Sequence, residues 1–329
     1  MVVVARRVLV LVVVLGWMGV PAGFGLAFRD QAASAPQESV GASAQSAASP
    51  SVTAPKDAKA DERSLPDIAG LMHSVETNQR AAEAIEKEYL YRSVVTEQQL
   101  DSHGGLKKSE TMEFEVFWVN GVPVRRLVKK DGKELTAEEQ KKESERIDKD
   151  SAKSRERREK ADEQGKESDA RGDELMTASR TLELGSFTNP RRIQLGGRDT
   201  IVVDYAGDPK AKTRTKFEEV VRDLMGTVWI DEHDRVLVKA EGHFVNNFKI
   251  GIGLIANIQK GTNFSMEQRL VNNEVWLPAK LEGQGSARAL LFFGFNGRVQ
   301  AVESDYRKFK ATSTIVPVDV TNTPEAPPQ

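Results

Sequence analysis

The stretch from Gly226 to Glu241, GTVWIDEHDRVLVKAE, constrains the fold more than any other part of the chain. Val228 and Ile230 alternate with Thr227, Trp229 and Asp231. After the polar turn Glu232-His233-Asp234, Val236, Val238 and Ala240 alternate with Leu237, Lys239 and Glu241. A period of two on both sides of a short turn specifies an antiparallel hairpin with one apolar and one polar face. Two strands cannot bury such a face by themselves, so the hairpin demands further strands and a helical cover.

Both can be traced in the sequence. Ser64-Leu65-Pro66-Asp67 suits a helix start, and Ile68, Leu71, Met72, Val75, Ala82, Ile85 and Tyr89 follow at helical spacing. The period then drops to two. Tyr89 to Leu100 reads as a strand and Asp101 to Gly105 as a turn. Met112, Phe114, Val116 and Trp118 line one face of the next strand, and Asn120-Gly121 turns into Val122 to Lys129. Ile201, Val203 and Tyr205 mark another strand near Gly196-Gly197. Phe217, Val220, Val221, Leu224 and Met225 predict a second helix leading into the hairpin. Strands are predicted beyond it at Phe248 to Ile258, Phe264 to Leu270, Glu274 to Leu281, Ala287 to Phe295 and Arg298 to Phe309, with turns at Asn272-Asn273 and Asn296-Gly297. The expected class is α+β: a large curved antiparallel sheet, an incomplete β-barrel of roughly ten to twelve strands, packed by two or three helices.

The flanking segments follow different rules. Arg6 and Arg7 precede the apolar run Val8 to Val20, Pro21 breaks it, and Gly25-Leu26-Ala27 supplies small residues for cleavage. Residues 1–27 therefore read as a signal peptide, because the run is shorter than the ~20 residues that a membrane span needs. Export to the periplasm or beyond is the expectation, and an uncleaved N-terminal anchor is the alternative. Residues 28–63, rich in Ala, Ser and Pro, read as a disordered linker, and 311–329 as a disordered tail, leaving 64–310 as the folded domain. Within it, 131–173 is almost wholly charged. Ile147 is nearly its sole large apolar residue. Without a/d apolar heptads this insertion reads as a solvated helical projection, with recruitment of an envelope protein partner as the other use for it.

No catalytic signature accompanies this pattern. The 47 basic and 49 acidic residues nearly cancel, leaving a formal charge of -2 and no field that would favour nucleic acid. There is no cysteine, which excludes disulfides, thiolate metal sites, thiol catalysis and lipid attachment at a lipobox. His73, His103, His233 and His243 share no metal-ligand spacing, and HExxH, GxSxG and P-loop patterns are missing. Neither a metal nor a cofactor is expected.

What stands out is a set of apolar side chains on strands with polar opposite faces. Met112, Phe114, Val116, Trp118, Val228, Ile230, Val236 and Val238 belong to it, as do Ile250, Ile252, Leu254, Phe264, Met266, Leu291, Phe293 and Phe295. Either the helices cover them as an ordinary core, or the sheet curves enough to leave a dry cavity for acyl chains. At ~0.8 kcal/mol per buried CH₂, shielding a long chain is worth roughly 10 kcal/mol. Residues 247–258, in which Ile250, Ile252 and Leu254 alternate with Gly251 and Gly253, fit a lid over such a cavity, or an interior strand at a tight bend.

The G-x-V-W-I-D hairpin at Gly226 to Asp231, the W-L-P at Trp276 to Pro278 and the Tyr306-Arg307-x-Phe309 ending, behind an export signal and an initial helix, resemble the outer-membrane lipoprotein-sorting (LolA/LolB-like) superfamily. The resemblance spans about Ser64 to Phe309. It implies a half-barrel closed by helices around an apolar cavity that holds lipid acyl chains. It also implies a non-catalytic, monomeric binding protein whose partner is a lipid or lipoprotein acyl chain. No arginine here can be matched to the one that gates release in the sorting carrier, and the charged insertion departs from that compact carrier. An envelope scaffold or stress sensor is the alternative function. A hydrolase, with least support, would need carboxylates clustered in a cleft.

Overall fold

The computed structural model describes residues 63–119, 122–165, 177–214, 216–250, 256–289 and 293–308. Its first helix, α1 (Ile68–Glu86), lies where the apolar spacing placed it, with Asp67 accepting from the Gly70 amide at the N-terminus. The strands then follow in sequence: β1 (Tyr89–Leu100), β2 (Leu106–Val119), β3 (Val122–Lys130) and the short β4 (Lys133–Glu134). The charged insertion forms α2 (Ala137–Glu163). It opens on a capping box in which the Thr136 hydroxyl accepts from the Glu139 amide while the Glu139 carboxylate accepts from the Thr136 amide. After α3 (Ala178–Leu184) come β5 (Gly185–Leu195), β6 (Arg198–Gly207), α4 (Lys216–Arg222), β7 (Leu224–Asp231) and β8 (Val236–Phe244). The chain closes with β9 (Phe248–Ile250), β10 (Ala256–Ile258), β11 (Asn263–Val271), β12 (Val275–Ala289) and β13 (Phe293–Lys308). No described helix is long and apolar enough to cross a membrane.

All thirteen strands join one antiparallel sheet, in the order β4-β3-β2-β1-β13-β12-β11-β8-β7-β6-β5, with β10 added on β12 and β9 on β10. It does not close, so the architecture is the expected α+β half-barrel. Its apolar face can be followed in register across eight strands: Met112, Val95, Ala301, Leu281, Met266, Ala240, Val228, Val203. Helix α1 lays Leu71, Met72 and Val75 on the β11–β8–β7–β6 part of this band. Helices α3 and α4 cover the β6 and β8 ends through Leu184, Val220 and Val221, against Tyr205, Phe244 and Phe248.

Several expectations are corrected. Leu224 and Met225 do not continue the second helix; α4 stops at Arg222, and Leu224 starts β7 paired to Phe244. Asn296-Gly297 makes no turn. Gly297 pairs with Gly285, and the Ser286 hydroxyl bonds the Asn296 side chain 2.6 Å away, so the predicted separate strands merge into the long β12 and β13. Small residues on two neighbouring strands satisfy a ladder as readily as a turn. Residues 248–258 hold two short strands paired to each other, Ile258 with Phe248, rather than one strand. The alternation read in β8 is broken by a register shift opposite Trp229 and Ile230. Leu237 therefore joins Ile230 in the core under α1 instead of taking the polar face. Asn272 and Asn273, by contrast, form the expected turn with positive φ.

Candidate functional site

The sequence pointed to a cavity between α1 and the sheet. Among the described residues that interior is occupied: Leu71, Met72 and Val75, each at most 5% exposed, meet Ile201, Val203, Val228, Ile230, Ala240 and Met266. A second apolar cluster lies farther along the same face. Val95, Met112, Phe114 and Ala301 pack with Leu127, Leu281 and Val299, and no helical residue belongs to it.

Of the sequence-nominated residues, Met112, Met266 and Val228 share the eight-strand band, with Ile230 beside it and Phe114 one row away. Phe264 sits in the next row, over Gly242, where an added Cβ would come within 2.6 Å of its ring. Val116 is buried farther along β2 beside Trp118. The Trp118 indole N–H is buried with no partner, and Lys87 lies 5.8 Å over its ring. Val236 and Val238 are buried in β8 around the register shift. In backbone register, Ile250 and Phe293 fall in one row across β9, β10, β12 and β13, and Phe295 falls in the row that includes Phe248. Ile252, Leu254 and Leu291, and with them most of the candidate lid, lie outside the described residues.

Beside the second cluster lies a buried polar group. Glu303 is 3% exposed. One of its oxygens accepts from the Ser93 hydroxyl at 3.0 Å, and the other has no partner. Arg125 donates to Ser93 and stacks 4.9 Å from the Phe114 ring. Burial pushes the Glu303 carboxyl above its ordinary range, against the pull of Arg125 and Ser93. Burial likewise raises the Tyr306 phenol, whose O–H donates to the Pro278 carbonyl.

The motif residues converge as structural elements. Arg198 donates to Asp231 and to Asp234, and the Trp276 indole donates to Asp234 at 2.8 Å, with the guanidinium 5.5 Å over the indole. Asp231, His233 and Asp234 lie close enough to share a metal ion. Both carboxylates are already bound by the guanidinium, so the group reads as an ion-paired clamp on the turn between β7 and β8.

An open trough lies on the polar face. A trough of about 1030 Å³ crosses seven strands from β6 to β1. One register row of its floor runs Asp204, Thr227, Glu241, Ser265, Glu282, Gln300 and ends at Thr96. Its acids are paired. Asp204 accepts from Asn189 at 3.1 Å, Thr227 at 3.0 Å and Arg191 at 3.2 Å; Glu241 lies 2.8 Å from Lys239; Glu282 lies 3.0 Å from Lys280 and accepts from Gln300 at 2.8 Å. Asn189 and Arg191 hold Asp204 below the ordinary carboxylate range. Glu282 is also low, because Lys280 and Gln300 outweigh its partial burial. Neither acid is placed to deliver a proton near neutral pH. Period-two alternation of polar residues was the available signal for this row, but only the pairing register shows that they align.

No family model matches the chain, and no curated protein does. Solved structures do. An outer membrane lipoprotein-sorting protein domain from Vibrio parahaemolyticus is 9% identical, with a TM-score of 0.34, over 74% of this chain and 95% of that one. A LolA superfamily protein from Nitrosomonas europaea is 9% identical with a TM-score of 0.26, covering 72% of this chain and 94% of that one. A DUF1329 family protein from Desulfovibrio piger is 7% identical with a TM-score of 0.23, covering 73% and 95%. At such identities and TM-scores these likenesses fix neither activity nor ligand.

Proposed function

We propose that this chain is an exported, non-catalytic envelope protein that holds an acyl chain of a lipid or lipoprotein against the apolar face of its half-barrel. The supporting observation is the eight-strand apolar band itself: α1 packs on its β11–β8–β7–β6 part, and beyond that the buried cluster of Val95, Met112, Phe114 and Ala301 continues it with no helical hydrophobic residue. A hydrocarbon chain laid along the band replaces the apolar contacts of α1 with its own at ~0.8 kcal/mol per CH₂. Among the described residues, α1 is tied to the sheet and α3 by Asn78 to the Asp234 carbonyl at 2.9 Å, Ser74 to Arg235 at 3.3 Å and Glu76 to the Ala178 amide at 2.8 Å, and by Ala82 and Ile85 packed on Tyr89, Val271, Val275 and Leu277. The sequence-nominated residues along the band and in the β9–β10–β12–β13 extension line the bound chain in this reading.

Delipidated protein should bind a fluorescent long-chain fatty acid with micromolar affinity, and amide exchange in α1 should speed up as the ligand displaces it. Phe293→Asp should weaken binding at least about tenfold by placing an unpaired charge beside hydrocarbon. A protein that binds neither the fatty acid nor an envelope lipid extract refutes the reading.

A further inference from the structure

The acyl-chain reading leaves the opposite face of the sheet without a role. We infer that the trough on that face is a second binding site, for an oligosaccharide chain. Three features carry the inference.

The first is size. A trough of about 1030 Å³ stands at the upper end of the range for small-molecule pockets, roughly 300–1,000 Å³. Its floor crosses seven strands, so at about 4.8 Å between neighbours it is about 29 Å long. An extended chain fits those dimensions; a single metabolite leaves most of the trough empty.

The second is the division of labour between its rows. The row of Asp204, Glu241 and Glu282 is satisfied internally and forms a fixed polar floor. The adjacent row on the same face runs Met225, His243, Asn263, Gln284, Arg298, Gln98, also in register. Among the described residues, the side chains of His243, Gln284, Arg298 and Gln98 bond to no other protein group. They therefore offer amide, imidazole and guanidinium donors and acceptors, spaced one strand apart, to whatever lies in the trough.

The third is what this chemistry rejects. An apolar ligand strips water from those groups and returns no hydrogen bond. A polyanion finds a single unpaired cation, Arg298, in the two rows. A polycation finds each carboxylate already paired, to Arg191, Lys239 or Lys280. A peptide strand satisfies its backbone at a sheet edge, not across the face of seven strands that are already paired. A chain of hydroxyls and ring oxygens, donor and acceptor at every unit and close to neutral, matches the row and replaces its water bond for bond. The lowered values of Asp204 and Glu282 leave them ionised at neutral pH, so the site holds such a chain without cleaving it.

The test titrates the full-length protein with cellohexaose, chitohexaose and hexagalacturonate, read by calorimetry and by amide chemical shifts on β8, β11, β12 and β13. The two neutral hexamers should bind at millimolar affinity or better, with shifts confined to those strands, and hexagalacturonate should bind more weakly. Arg298→Ala combined with Gln284→Ala should weaken binding at least about tenfold while leaving fatty-acid binding and Tm unchanged. If that double variant misfolds, Gln98→Ala with His243→Ala on the same row serves instead. The inference is overturned if no hexamer binds at millimolar concentration, if hexagalacturonate binds best, or if folded variants bind as well as the parent. The acyl-chain reading stands or falls separately, on the fatty-acid titration.

Discussion

Glu303 shows at the scale of one residue how burial is converted into a pH dependence. Its carboxyl sits on the apolar face with one oxygen bonded to Ser93 and the other unpartnered, and its folded-state value is raised. A raised carboxyl keeps its proton in the folded chain at a pH where the unfolded chain, with an ordinary value of about 4.3, has already lost it. The native state then binds the extra proton, so this group's contribution to stability falls as pH rises from the unfolded value through the folded one. Glu303→Gln keeps an acceptor for Ser93 and removes the titration. Urea denaturation from about pH 4 to about pH 8 should show a flatter upper limb for the variant, with its stability overtaking that of the parent at the alkaline end. Nothing in the local sequence, Val302-Glu303-Ser304, announces this, because the burial comes from β1 and β3 lying against β13 and β2. The pairing of Trp276 with Asp234 and Arg198 was hidden for the same reason: 42 positions separate the indole from the carboxylate.

At the scale of elements, the sequence was legible wherever one period governed the whole element. Tyr89 to Leu100 is a strand with the predicted bounds, and α1 falls within the predicted helix. It was illegible where two periods or two uses of one residue type compete. Leu237 is the clearest case. Strict alternation assigns it to the polar face, but the register shift at Trp229 and Ile230 turns it into the core, where it is 3% exposed. Leu237→Ala should therefore cost about 2–5 kcal/mol in urea denaturation, the cost of truncating a packed leucine, instead of the near-zero cost of a surface change. The glycines of β7 and β8 make a related point. Gly226 and Gly242 face each other in register, and an added Cβ on Gly226 would lie 2.1 Å from the Glu241 carbonyl oxygen. Close backbone approach, not a turn, is what these two positions require.

For the molecule as a whole, the class and the open antiparallel sheet could be read in advance, whereas the location of free space could not. Periodicity says that a strand has two faces; it does not say which one is concave, nor how tightly a helix fills the other. Hence the sequence leaves a filled apolar interior and a hollow one equally open, and gives no sign of the polar trough. The charged helix α2 is separable from both. It touches the body mainly at β3, through Glu143 accepting from the Leu127 amide at 2.8 Å and Arg146 donating to the Arg125 carbonyl at 2.5 Å. Deleting residues 137–163 and rejoining the chain with a short Gly/Ser linker should leave the far-ultraviolet β signal and fatty-acid binding intact. Loss of either would show that α2 belongs to the fold.

The unclosed sheet ends in two very different rims. On one side β4 is only two residues long, and a highly charged helix follows it. On the other, β5 runs eleven residues but is interrupted in mid-course: Pro190 has no amide hydrogen, Asn189 adopts positive φ, the register slips between Thr188 and Arg191, and two arginines follow. β4 pairs only Lys129 and Lys130 of β3, and farther along that rim Glu143 of α2 accepts from the Leu127 amide while Arg146 donates to the Arg125 carbonyl, so neither rim offers an unbroken ladder for a neighbouring copy to zip onto. A broad sheet left unclosed is a natural seed for fibres at its edges. Strand addition is interrupted on one border by a proline and a kink and on the other by the helix that follows β4, so the barrel stays ajar without presenting two clean edges.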